Sequence, residues 1–494
     1  VHLFRTKSVE QSIRDTEAPE HRLRRELSAF DLVVFGVGVI IGTGIFVLTG
    51  QVARDKAGPA VAISFILAAV VCGLAALCYA EFASTVPVAG SAYTFSYATL
   101  GEFPAWIIGW DLILELALGA AVVSVGWSGY FVSLLDSIGI TWPETLANPP
   151  GEGGVVNIPA ILLVLLVTVL LVIGTKVSSR VNAIVVAIKV SVVLLVIVAG
   201  LFFLKADNYT PFIPPSQPSE STEGIHAPLL QVLFGVTPVS FGWLGIFAAV
   251  AVVFFAYIGF DVVATTAEEA RNPQRDLPIG LIGSLVITAV LYAAVALVVV
   301  GMQNYADLST AAPLADAFKA VGHPAFATII SIGAVAGLTT VVLILLLGQI
   351  RVMFAMGRDR MLPPWLAQVH PRFGTPYRVT IIMGALVAVL AGFIPLAQLA
   401  ELVNIGTLFA FVVVSIGVVI MRRTRPELPR AFRTPLVPLV PILSVLACVF
   451  VMLNLPVETW LRFLAWMVLG TLIYFAYGHR HSRLRVAEKG AEPK

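Results

Sequence analysis

Apolar residues in this chain form long, nearly unbroken stretches, without the one-sided periodicity of a surface helix or the alternation of a half-buried strand. They recur from Asp31 to Tyr477, bounded by charges or Pro/Gly clusters, near 31–52, 60–82, 104–135, 157–174, 182–204, 243–267, 279–301, 324–350, 379–399, 402–421, 436–455 and 459–477. A helix needs about 20 apolar residues to cross a hydrocarbon core about 30 Å thick. The pattern therefore predicts an all-α integral membrane protein with 12 transmembrane helices. The stretch 157–174 is short, and 104–135 is long enough to tilt or to extend beyond the bilayer.

Composition agrees, with 58% hydrophobic and 12% charged residues among 494, far from soluble-domain averages. The net charge of +2 says little, but its distribution sets orientation. With the N-terminus in the cytoplasm, 25 of the 31 Lys and Arg fall on the inner side, and only Arg54, Lys56, Lys205, Lys319 and Arg462 lie outside. That bias predicts a multi-pass protein of the plasma membrane with both termini cytoplasmic. The polar stretch through Glu26 has no apolar signal-peptide core. The resulting division is a cytoplasmic segment 1–30, five helices in 31–204, an extracellular loop 205–242, five helices in 243–421, two more in 422–477, and a cytoplasmic tail 478–494.

Five helices per half is an odd number, so the second half enters from the opposite face, giving a five-plus-five inverted repeat. Such folds place their sites at interrupted helices in corresponding positions. The first helix carries Gly36-Val37-Gly38 and Gly42-Thr43-Gly44, and the sixth carries Phe255-Ala256-Tyr257-Ile258-Gly259-Phe260-Asp261. Gly42 to Gly44 falls about 16–20 Å into the bilayer, near the midplane. An interruption there is tolerated only where protein or a wet cavity satisfies the backbone. Free N–H groups around Thr43, Gly44 and Ile45 would hold a carboxylate, and the carbonyl near Ile40 an ammonium. An α-amino acid carries both. The competing reading of these glycines is a small-residue stripe for close helix packing.

Four ionisable residues lie deep in predicted spans, where charge is expensive and needs a partner. Asp111 and Glu115 share a helical face with Gly119 and Gly126. One of them, with Glu115 the stronger choice, would attract a cationic group or titrate during transport; otherwise they pair internally and fix packing. Asp261 would cap the inner half of the sixth helix, beside a site wall running from Phe255 to Gly259. Lys189 is the one basic residue deep in a span. Burial disfavours its charged form, so it can gain a proton on one side and lose it on the other. The alternative is snorkelling to the interface.

The remaining features read as structural. Trp106, Trp110, Trp243 and Trp460 lie near span ends, as an aromatic belt would. Arg22–Arg25 and Arg422–Arg433 are orientation signals with lipid-headgroup contacts, not nucleic-acid sites. Glu268 and Glu269 are expected to be solvated or paired with Arg271 and Arg275. Cys72, Cys78 and Cys448 sit in apolar segments as small hydrophobes. No nucleotide-binding loop, catalytic triad or metal-ligand spacing is present, so no enzyme activity, metal or cofactor is expected.

Gly36-Val37-Gly38 through Gly42-Thr43-Gly44-Ile45-Phe46-Val47-Leu48-Thr49-Gly50 resembles the broken first helix of the amino acid–polyamine–organocation superfamily. Ala256-Tyr257-Ile258-Gly259-Phe260-Asp261, Ala264-Thr265-Thr266-Ala267-Glu268-Glu269, Arg271-Asn272-Pro273-Gln274 and Leu277-Pro278-Ile279-Gly280 resemble the sixth-helix signature of its cationic amino acid transporter family. Arg351-Val352-Met353, Met356-Gly357-Arg358-Asp359 and Ile405-Gly406-Thr407-Leu408 extend the similarity. The resemblance implies helices one and six broken at the midplane, a substrate between them, and alternating access by rocking of a bundle against a scaffold. The substrate carboxylate would meet Thr43 and Gly44, and its ammonium Ile40 and Phe255–Ile258. Lys189 stands where animal members have a neutral polar residue and proton-coupled prokaryotic relatives a lysine, which implies a bacterial proton symporter and a substrate range wider than cationic.

The expected function is thus proton-coupled uptake of L-amino acids, with arginine, lysine and alanine as candidates and the proton as coupling ion. Membrane lipids are the other expected partners; an accessory subunit leaves no mark in the sequence. An amino acid or polyamine exchanger, or a non-translocating nutrient sensor on the same fold, are the alternatives.

Overall fold

The computed structural model describes residues 27–88, 91–174, 179–219, 224–237 and 239–482, together with Thr6. Lys176, the basic residues before Leu27 and those after Ser482 lie outside the described residues, as does most of each terminal segment. The chain is mostly helical. Among the described residues we name the apolar helices α1 (Ala29–Ile40), α2 (Val61–Thr85), α3 (Glu102–Ser137), α4 (Ile158–Ile173), α5 (Ser179–Gly200), α6 (Gly242–Val253), α7 (Pro273–Met302), α8 (Pro324–Arg358), α9 (Tyr377–Phe393), α10 (Leu396–Thr424), α11 (Leu439–Leu453) and α12 (Val457–Ile473).

Among the described residues, eight helical stretches are long and apolar enough to cross a membrane, and four shorter apolar helices accompany them. One of the eight, Gly44–Thr85, has 42 residues, about 63 Å of helix if straight. It is divided at Gly58, whose φ of +63° only glycine adopts readily. The turns from Gly44 to Ala57 therefore continue α1, and α2 follows. The chain is a multi-pass membrane protein.

α1 begins with a capping box. Asp31 N–H donates to Ser28 Oγ at 3.3 Å, and Ser28 N–H donates to Asp31 Oδ2 at 2.8 Å. Just ahead of it, Leu27 pairs with the end of the sixth-helix segment through main chain alone: Leu27 N–H donates to Glu269 O at 3.0 Å and Arg271 N–H to Leu27 O at 2.8 Å. We call this the proximal face. At the distal face, the short helix Pro313–Ala320 sits against α3 and the continuation of α1. A Cβ on Gly50 would stand 2.5 Å from Ser309 O, one on Gly129 2.6 Å from Ala311 O, and Lys319 Nζ donates to Ser133 Oγ at 3.0 Å.

The structure departs from two sequence expectations. Trp106 and Trp110 face protein, not lipid. Both are buried, and their indole N–H groups donate to Gly470 O at 2.8 Å and Trp466 O at 2.9 Å, docking α3 on α12. Glu269 pairs with Arg351 at 3.3 Å. Arg422 and Arg430 are not headgroup contacts. Arg422 grips fully buried Glu81 of α2 through Nε–Oε1 at 2.9 Å and Nη2–Oε2 at 2.7 Å, and Arg430 Nε adds a contact at 3.3 Å. Thr434 N–H donates to Glu81 Oε2 at 2.8 Å, so the α10–α11 connection is stapled to the end of α2.

Breaking a buried ion pair from one side costs about 3–5 kcal/mol, because the other charge stays behind in low dielectric. Arg430 still reaches Glu81, so Arg422→Met should cost about 3 kcal/mol, read as a lower melting temperature of the detergent-purified protein. An unchanged melting temperature would mean that water replaces the guanidinium.

Candidate functional site

α1 stops because Ile41 is extended, at φ −70° and ψ 93°. Helical turns resume at Thr43 and Gly44 in wide π-type geometry. N–H groups at such a start have no carbonyl one turn back to bond. α6 changes geometry as well. It tightens into a 3₁₀ turn over Phe254–Tyr257 and resumes as a second 3₁₀ segment over Asp261–Glu269. Between them Gly259 has φ +121°, and a Cβ there would meet Val39 Cγ1 at 2.6 Å. Glycine is thus required twice over, by backbone conformation and by the approach of α1.

The two interruptions touch. A Cβ on Gly44 would overlap the Ala256 Cα and lie 3.0 Å from its N. Beside this contact lies a small cavity of about 20 Å³, lined by Val39, Ile40, Gly42, Thr43, Gly44, Glu115, Leu116, Gly119, Val123, Phe255, Ile258, Val341 and Leu345. Its walls are mostly apolar, and Thr43 and Glu115 supply the polar side chains. A Cβ on Gly42 would clash with nothing, meeting Val341 Cγ1 in ordinary contact at 3.8 Å.

Of the predicted site residues, Ile40, Gly42, Thr43, Gly44, Glu115, Phe255 and Ile258 lie on this cavity, whereas Ile45, Ala256, Tyr257 and Gly259 do not. Ile45 is buried in the protein. Ala256 forms the contact with Gly44. Tyr257 turns to α2, its hydroxyl donating to Phe65 O at 2.9 Å. Gly36 and Gly38 answer to the packing reading: a Cβ on Gly36 would stand 2.5 Å from Ser284 Oγ of α7, and one on Gly38 would strike Val186 of α5.

Lys189 does not reach the surface; it is 1% exposed. Its Nζ donates to the carbonyls of Gly38 and, at 3.3 Å, Ile41. These carbonyls end α1, where no helical N–H remains to take them. The stem passes through a slot made by Gly337 of α8, whose Cβ would stand 2.6 Å from Lys189 Cγ. Asp111 and Glu115 are buried; among the described residues no hydrogen bond closes on the Asp111 carboxyl, whereas Glu115 has the Thr407 hydroxyl beside it. Asp111 faces the backbone of Gly406 in α10, away from the cavity lining, with Oδ1 2.7 Å from the position of a Cβ. Asp261 accepts Gly259 N–H at 3.2 Å and reaches the N–H groups of Asp261 and Val262 at the head of the next segment. It is a cap outside the cavity lining.

Two side chains that hold the interruptions have no predicted role. Tyr292 of α7 donates its hydroxyl to Ile40 O and receives Gly42 N–H. The Ile40 carbonyl assigned to a ligand ammonium is thus already engaged, with its second lone pair remaining. Asn404 of α10 donates to carbonyls of the last turn of α6.

A mostly apolar cavity thus lies where two helices lose their regular backbone, inside a multi-pass helical protein. The chain belongs to the amino acid permease family, whose model matches residues 27–475, within the amino acid–polyamine–organocation superfamily. It is 46% identical to a methylthioribose transporter of Bacillus subtilis, over 98% of this chain and 99% of the relative. It is 47% identical to a branched-chain amino acid permease of the same organism, over the same shares of each chain. A vacuolar cationic amino acid transporter of Arabidopsis thaliana is 40% identical over 86% of this chain and 68% of the relative. These relatives are transporters, and this chain is not an enzyme.

Proposed function

We propose that this protein takes L-α-amino acids into the cell by proton symport. The observation that carries the reading is the cavity at the meeting of the two interruptions, with N–H groups of Thr43 and Gly44 on one side and the Phe255–Ile258 backbone on the other. The carboxylate of the substrate binds the former; its ammonium binds carbonyls of the latter and the second lone pair of Ile40. Leu116, Val123, Val341 and Leu345 form an aliphatic wall for the substrate side chain, and Glu115 is the one carboxyl available to a cationic one. Small neutral and branched aliphatic amino acids are the main substrates, with arginine and lysine accepted through Glu115. The names of the branched-chain and cationic relatives support both parts of that range.

The coupling ion is a proton carried by Lys189, because its ammonium joins the carbonyls at which α1 stops. With the proton bound, α1 is tied to α5; with it released, that tie is lost. The protein crosses the plasma membrane twelve times in a five-plus-five inverted repeat. α1 and α6 are its broken helices, and the proximal face and both termini are cytoplasmic.

Uptake into proteoliposomes under an inward proton gradient tests this reading, with arginine, lysine, alanine, leucine, aspartate and methylthioribose as competitors. Inhibition by alanine, leucine and arginine, and none by aspartate, is expected. Methylthioribose lacks both the ammonium and the carboxylate that the two interruptions would hold; competition by it alone would replace the amino acid reading. Accumulation that requires preloaded substrate instead of a proton gradient would make the protein an exchanger.

A further inference from the structure

Asn404 lies on α10, outside the cavity lining, and is fully buried. Its Nδ2 donates to Ala251 O at 2.6 Å and Val252 O at 3.3 Å. Both carbonyls belong to the last α-helical turn of α6, immediately before the 3₁₀ turn that brings Phe255 and Ile258 to the cavity. When an α-helix tightens, its N–H groups turn toward nearer carbonyls and leave those of the preceding turn short of donors. Asn404 supplies them from another helix. Two carbonyls on one nitrogen also fix the orientation of the amide, since the reverse would set oxygen against oxygen. The amide oxygen is then buried with no hydrogen-bond partner among the described residues. The side chain is held for its donors alone.

We propose that Asn404 is a positioning residue for transport: a cap delivered from α10 that fixes where α6 leaves helical geometry, and so sets the backbone of Phe255–Ile258 against the substrate. This rests on the reading of the cavity as the substrate site. Hydrophobic residues of similar size can fill the Asn404 volume but cannot donate, and Asp donates only when protonated.

The test compares wild type, Asn404→Leu and Asn404→Asp in proteoliposomes at pH 5 and pH 9. It reads counterflow of radiolabelled L-alanine at equal pH on both sides, so no proton gradient is needed. Hydrogen exchange of the 254–260 amides is followed on the same proteins without substrate. Asn404→Leu should raise KM at least tenfold at both pH values, leave Vmax within about twofold, and speed exchange across 254–260. Asn404→Asp should stay near wild type at pH 5 and move toward Asn404→Leu at pH 9. Wild-type KM and exchange in Asn404→Leu would overturn the proposal, as would Asn404→Asp tracking Asn404→Leu at both pH values. If Asn404→Leu does not fold, faster exchange of Asn404→Asp relative to wild type at pH 9 than at pH 5 supports the cap, and equal exchange overturns it. If wild type shows no alanine counterflow, the substrate reading falls for alanine, and the exchange comparison still decides the cap.

Discussion

Gly44→Ala should bring amino acid uptake close to background while Gly42→Ala retains it for small substrates. At Gly44 the added methyl meets the main chain of Ala256, with the Ala256 Cα inside contact distance and its N at 3.0 Å. A backbone cannot rotate away as a side chain can, so α1 and α6 must separate. Overpacking costs about 1–3 kcal/mol, and with main chain on both sides the upper end applies. About 3 kcal/mol is roughly a hundredfold in an equilibrium. At Gly42 the same methyl finds its nearest wall at 3.8 Å and projects into the cavity, so it removes space for leucine and leaves alanine accommodated. The discriminating measurement is initial uptake of both amino acids by both variants. Wild-type uptake by Gly44→Ala would show that the two interruptions need not touch.

Lys189→Met should abolish accumulation driven by an inward proton gradient, with the protein still folded. Met fills the slot beside Gly337 with a side chain of similar length but leaves the carbonyls of Gly38 and Ile41 without their donor. Each unsatisfied buried carbonyl costs about 1–3 kcal/mol, so the end of α1 loosens and no group remains there to take up a proton. Lys189→Arg should fail as well, because a guanidinium keeps its charge and is too broad for the glycine slot. Uptake with and without the pH gradient, alongside counterflow at equal pH, separates loss of coupling from loss of binding. Undiminished gradient-driven accumulation in Lys189→Met would remove the proton from Lys189.

Hydropathy made the helical membrane architecture legible, since a spanning segment must be apolar along its length. Glycine spacing marked the two interruptions, and the isolated charge of Lys189 marked the residue that bonds the first of them. The partners of these features were not legible. Tyr292 and Asn404 are ordinary polar residues inside apolar helices, and each acts on a carbonyl more than 150 residues away. Backbone groups have no residue type, so the sequence carries no sign of which carbonyl lacks a donor. Trp106, Trp110, Arg422 and Arg430 misled for a different reason. Each sits where span ends favour that residue type, and each is spent on a specific contact between helices. Within the wall Phe255–Gly259, composition could not separate Phe255 and Ile258, which face the cavity, from Tyr257, which the irregular backbone turns toward α2.

The pairing of Leu27 with Glu269 and Arg271 is made by main-chain groups only. Substitution of these three side chains therefore leaves its donors and acceptors intact, short of proline at Leu27 or Arg271, whose N–H groups are the donors. A joint of this kind tolerates exchange of the residues around it in a way that an ion pair does not, and it keeps the start of α1 tied to the end of the Asp261–Glu269 segment.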